Sequence, residues 1–103
     1  MSLRVNSEKI LSLLGFASRA GKLSFGTHAT TFAIQSKKAK LVLAAEDISE
    51  KSVKELRFQA TKQNIEVLNL SGIDTATLSK RVGKNCGIVA VNDSGFADAI
   101  KNN

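Results

Sequence analysis

Two short, uninterrupted apolar runs constrain this chain more than any other feature. Lys40–Ala45 reads KLVLAA and Gly87–Val91 reads GIVAV. Neither run alternates apolar with polar residues, so a strand built from either must be covered on both faces. A sheet with such strands needs helices above and below it.

The sequence between the runs supplies those helices. Asn6 or Ser7 can cap a first helix, in which Ile10, Leu11, Leu14 and Ala17, with Leu13, recur at helical spacing. Gly21 suits its stop. Leu23-Ser24-Phe25 reads as a short strand. A second helix is expected from Thr27 to Ser36, with Ala29, Phe32 and Ala33 on one side. Ser49 caps a third, carrying Val53, Leu56 and Ala60 inward. Ile65–Leu70 is a further strand. Asp74 follows as an N-cap, with Ile73 and Leu78 placed as a hydrophobic staple, and Gly83 ends that helix. Asp93 or Ser94 starts a terminal helix with Phe96 and Ile100 inward. Helices and strands alternate throughout, which predicts an α/β fold: a three-layer α-β-α sandwich around a central four-stranded mixed sheet.

The 103 residues are one domain's worth, and 43% hydrophobic residues suffice for a core. One cysteine, Cys86, cannot form an internal disulfide. Residues 1–6 carry no signal-peptide pattern and the longest apolar run is far short of a membrane span, so the cytoplasm is the expected location and no membrane partner is expected.

Charge is unevenly placed. The net charge is +6, yet all nine acids lie outside residues 9–45. Within that stretch stand Lys9, Arg19, Lys22, Lys37, Lys38 and Lys40. One-signed charge concentrates polyanions and steers them inward. A solvated basic face kept for solubility is the plainer alternative. Lys54 and Arg57 are expected to pair with Glu50 and Glu55 along one exposed helix and are set aside.

Chemistry is poorly provided for. With one His and one Cys, a His/Cys metal site is not available. No glycine-rich phosphate loop occurs. A dyad of Cys86 and His28 would need a third orienting group. No enzyme, cofactor or small-molecule substrate is expected. The five phenylalanines (Phe16, Phe25, Phe32, Phe58 and Phe96) fall at core-like spacings, and Tyr and Trp are absent. A base-stacking platform is therefore not expected, which favours recognition of folded RNA through backbone and groove contacts.

Several segments together resemble a known family. They are Leu14-Gly15-Phe16-Ala17, Arg19-Ala20-Gly21-Lys22, Gly26, Lys38 through Ala44, Ala45-Glu46-Asp47-Ile48, and Leu78 through Lys84. This pattern is similar to the ribosomal-protein superfamily that binds kink-turn RNA, with branches called "L seven Ae" and "L thirty e", and in particular to its bacterial YlxQ-like branch. The similarity spans nearly the whole chain. It implies the same sandwich and a non-catalytic RNA-binding role, with structured RNA such as rRNA, or the ribosome, as partner.

The resemblance also implies a site along one edge of the sandwich. Its contributors are the start of the second helix, the loop after the second buried strand and the loop before the last strand. In this chain these are Gly26, Thr27, His28 and Thr31, then Glu46, Asp47 and Ile48, then Lys84 and Asn85. Arg19, Lys22, Lys37 and Lys38 are the candidate phosphate contacts. The family's second helix opens with Gly-x-Asn-Glu-x-x-Lys, whereas this chain has His28, Ala29 and Phe32 in place of Asn, Glu and Lys. Ala29 cannot read a base edge and Phe32 cannot neutralise a phosphate, so strict kink-turn specificity is not expected. A protein–protein module on the same fold is the alternative reading.

Overall fold

The computed structural model describes residues 7–102. Among them, four strands form one mixed sheet in the order β1-β4-β2-β3. The strands are β1 (Leu23–Phe25), β2 (Leu41–Ala45), β3 (Val67–Leu70) and β4 (Ile88–Val91). β4 runs antiparallel to β1 and β2, while β2 and β3 are parallel. Helices α1 (Ser7–Arg19), α4 (Thr75–Val82) and α5 (Ser94–Lys101) cover one face, and α2 (Gly26–Gln35) and α3 (Glu50–Thr61) cover the other. This is the expected three-layer sandwich. No helix among the described residues is long and apolar enough to cross a membrane.

β2 shows why the apolar run is uninterrupted. Leu41, Leu43 and Ala45 enter the core under α1, α4 and α5, whereas Val42 and Ala44 enter the core under α2 and α3. All five are fully buried. Side chains alternate across a strand, so a strand covered on both faces must be apolar at every position.

The helix ends follow local chemistry. Ser49 Oγ accepts the Ser52 N–H at 3.2 Å. Asp74 accepts the Thr77 N–H at 2.8 Å and Asp93 the Phe96 N–H at 2.9 Å. Ile73 and Leu78 are both fully buried, as a hydrophobic staple requires. α1 stops in a Schellman turn: Gly21 donates to the Ser18 carbonyl and Lys22 to the Ala17 carbonyl, with Gly21 at φ 72°. The Asn6 alternative for the α1 cap lies outside the described residues.

Two expectations are corrected. α2 turns Thr30, Ala33 and Ile34 inward, leaving Ala29 and Phe32 exposed. Both arcs of this helix carry apolar residues, so spacing alone does not fix its phase. The small side chains at Thr30 and Ala33 let the helix approach β4, which a phenylalanine would prevent. Nor does Arg57 pair with a glutamate on α3. Its guanidinium donates to the Val67 carbonyl of β3 at 3.0 Å. The ion pair formed among the described residues is Arg81 with Glu8, at 3.1 Å.

The Asp74 cap gives a pH dependence. The Thr77 backbone N–H, assisted by the Thr77 hydroxyl, holds the Asp74 carboxyl below its ordinary pKa. A carboxyl depressed in the folded state stabilises above the unfolded pKa of ~3.9 and loses that contribution as pH falls through the lowered value. Asp74→Asn keeps the cap without the titration. Urea unfolding from pH 7 to pH 2 should therefore show a shallower acid decline for the variant than for the wild type; parallel declines would contradict this.

Candidate nucleic-acid interface

The sheet topology gathers four connections at one end. β1, β2 and β3 finish there and β4 begins there: Phe25 pairs with Val89, Ala44 with Ile88 and Ala45 with Leu70. The β1–α2 junction, the loop after β2, the loop after β3 and the loop before β4 consequently meet. This end carries Gly26, Thr27, His28, Glu46, Asp47, Ile48, Lys84 and Asn85, with Thr31 one turn further along α2.

The start of α2 differs from the starts of α3, α4 and α5. Those three are capped by side chains; Phe25, at the N-cap of α2, supplies none, and the first turn carries no acid. The leading N–H groups of α2 thus have no side-chain acceptor, and a helix start of this kind is suited to an anion. Gly26 has φ 88° with open space where a Cβ would stand, so its glycine answers to the turn and leaves the approach clear. Thr27 and His28 are exposed. Lys84 Nζ stands 5.8 Å from the ring centre of Phe25, whose side chain packs on the α1/α4/α5 side of the sheet.

Glu46 and Asp47 serve the scaffold. Glu46 Oε1 accepts the Gly72 N–H at 2.8 Å. Asp47 Oδ1 accepts the Thr75 N–H at 2.9 Å and the Thr75 hydroxyl at 2.8 Å. Together they tie the loop after β2 to the loop after β3. Half-buried Ile48 packs against both cores. Its tip would meet a Cβ on Gly87 at 2.6 Å, and Thr75 Oγ1 would meet it at 2.5 Å. A Cβ at position 87 would therefore force the Ile48 and Thr75 side chains to shift. Sequence reasoning missed Gly87 and Thr75, because their partners are distant in the chain.

Apart from Lys84, the basic candidates do not gather with the rest. Lys22 precedes β1, and its carbonyl accepts the Asn92 N–H just past the far end of β4. Lys40 donates its backbone N–H to Val91, also at that far end. Lys37 and Lys38 follow the C-terminus of α2, ~15 Å along the helix from Gly26. The acid-free tract is thus divided between opposite poles. Arg19 stands on the last turn of α1, where its guanidinium and the Arg81 side chain both approach Gly15.

The phenylalanines also depart from expectation. Phe16, Phe32 and Phe58 are 55%, 68% and 60% exposed. Arg19 lies 5.0 Å from the Phe16 ring centre and Lys62 4.4 Å from that of Phe58. Phe32 lines a shallow groove of about 320 Å³ with Thr27, His28, Thr31 and Gln35. Cys86 is buried and burial pushes its thiol pKa up, the opposite of an activated nucleophile. The described residues hold no group of three metal-ligating side chains.

The model of the ribosomal protein L7Ae/L30e/S12e/Gadd45 family matches residues 8–101. The chain belongs to this family. It is 32% identical over 96 residues to the Enterococcus faecium protein named RNA-binding protein YlxQ, covering 93% of this chain and 91% of that one. A solved Bacillus halodurans protein of unknown function superposes with a TM-score of 0.85 at 28% identity, covering 91% and 94% of the two chains. The Giardia lamblia 15.5kD RNA binding protein superposes with a TM-score of 0.78 at 13% identity, covering 93% and 82%. At that identity the likeness speaks for the fold, which persists through extensive sequence change. The bacterial YlxQ-like resemblance read from the sequence is thereby borne out.

The loop ties and Gly87 yield a stability prediction for this end of the family fold. Gly87→Ala should cost about 1–3 kcal/mol through overpacking, and Asp47→Ala about 1–3 kcal/mol through the lost charged hydrogen bonds. Melting temperatures of both variants should fall by several degrees. A wild-type melting curve for Gly87→Ala would show that the three loops can separate without cost.

Proposed function

We propose that this chain is a non-catalytic binder of structured RNA, acting in the cytoplasm in association with rRNA or the translation machinery, through the pole where α2 begins. The observation that carries this reading is the start of α2. Its N–H groups lack a side-chain cap and lie behind an open glycine, at the same end of the sheet as the loop that carries Lys84. Such a terminus binds a phosphate through backbone donors and helix dipole together. Gly26, Thr27 and His28 would meet the RNA backbone, with Thr31 a turn behind, and Asn85 offers an amide from the neighbouring loop. Glu46, Asp47 and Ile48 act indirectly by fixing the loops. Family membership and the RNA-binding name of the E. faecium relative support the same reading.

The capture is backbone-led. Where the family motif has Asn and Glu to read bases, this chain has His28 and Ala29, so shape should count for more than sequence. The protein–protein alternative draws on one observation, the exposed Phe32 on an uncharged helix face.

Binding to a kink-turn RNA, a straight duplex and unrelated competitor RNA, each at several salt concentrations, tests the proposal. Affinity should favour the bent RNA and fall steeply with salt, by about 0.9 log units per log unit of salt for each phosphate contact on a duplex. Lys84→Glu should weaken binding about tenfold at low salt while leaving thermal unfolding unchanged. No binding to any RNA at low salt would leave the protein–protein reading standing.

A further inference from the structure

The pole opposite the start of α2 carries a feature that the proposed site does not use. A groove of about 500 Å³ opens there between the ends of α2 and α3, lined by Lys37, Lys40 and Lys62 with Gln63 and Asn64. These three lysines are exposed, and the ion pair formed among the described residues lies elsewhere, between Arg81 and Glu8. Lys62 also stands 4.4 Å from the ring centre of the exposed Phe58, one turn earlier on α3. Glu66 is the acid nearest in sequence, at the entry to β3.

Lysines that follow helix C-termini have a plain structural use, because they complement the helix dipole. One detail separates the two roles. α2 ends in a Schellman turn in which Lys37 donates to the Ile34 carbonyl and Lys38 to the Ala33 carbonyl, placing Lys37 at the left-handed position with φ 63°. Glycine is the residue that fits this conformation without strain. Stability alone would favour glycine at position 37, yet the chain holds a long cationic side chain there, aimed at the groove.

We infer that this groove is a second RNA contact, which holds a single-stranded segment of the same RNA whose bend docks at the opposite pole. The inference rests on the RNA reading above. Lys37, Lys40 and Lys62 neutralise successive phosphates, Gln63 and Asn64 supply amide donors and acceptors, and Phe58 offers a face for one base. Cations alternating with an exposed ring are the elements of sequence-tolerant single-strand binding. The molecule measures 32 × 29 × 27 Å, so a strand leaving a docked bend can reach the far pole within about ten nucleotides.

The test compares a kink-turn RNA hairpin with the same hairpin extended at either end by about ten uridines. The wild type should bind the extended RNA more tightly, and its salt slope should be steeper by about 0.7 for each added single-strand phosphate contact, roughly two in all. Lys40→Gln combined with Lys62→Gln should remove most of that increment and leave hairpin affinity unchanged; arginine at both positions should restore it. Lys37→Gly is the decisive variant: it should raise the melting temperature and still weaken binding of the extended RNA several-fold. Equal wild-type affinity and slope for the two RNAs would overturn the second contact while leaving the first intact. So would an increment that survives the glutamine substitutions, or a Lys37→Gly protein that is more stable and binds as before. Capture of the extended RNA alone would support the groove and remove the bend-binding pole, whereas failure to bind either RNA would remove both.

Discussion

The pairing of β2 with β4 on one side and β3 on the other is the constraint on which the rest depends. β2 is hydrogen-bonded along both edges and covered on both faces, so each of its five side chains must be apolar and must enter one of two cores. An orphaned backbone group in that position would be costly, which ties the strand to its neighbours as firmly as its side chains tie it to the helices. The polarity of the sheet follows from these pairings. It delivers three strand ends and one strand start to a single pole, and so assembles the candidate site from segments far apart in sequence.

Much of this was legible in the sequence because it is local. Ser49, Asp74 and Asp93 cap the helices they precede, Gly21 and Gly83 stop those they follow, and the Ile73–Leu78 staple is buried as its spacing implied. Continuous apolar runs marked the central strands for the same reason: the requirement acts on neighbouring residues. Gly26–His28, Glu46–Ile48 and Lys84–Asn85 do share one end of the sheet, as the family resemblance implied.

What the sequence hid is non-local. The acid-free tract reads as one patch, but α2 runs back and carries Lys37 and Lys38 to the pole opposite its start. Glu46 and Asp47 are expected as contributors to the RNA site, whereas their hydrogen-bond partners Gly72 and Thr75 stand 26 and 28 residues downstream. Phe16, Phe32 and Phe58 sit at spacings that suit a core and face water instead, since a helix with apolar residues on two arcs can bury only one.

The Arg57 contact with Val67 has a consequence for the molecule in a crowded solution. β3 is an outer strand, so its far side presents unpaired carbonyls to which a strand from another chain could add. A guanidinium laid across that border occupies the acceptor and sets a charge where a neighbouring backbone would have to lie. A residue read from the sequence as part of a helix surface thus covers one acceptor on the open edge of the sheet.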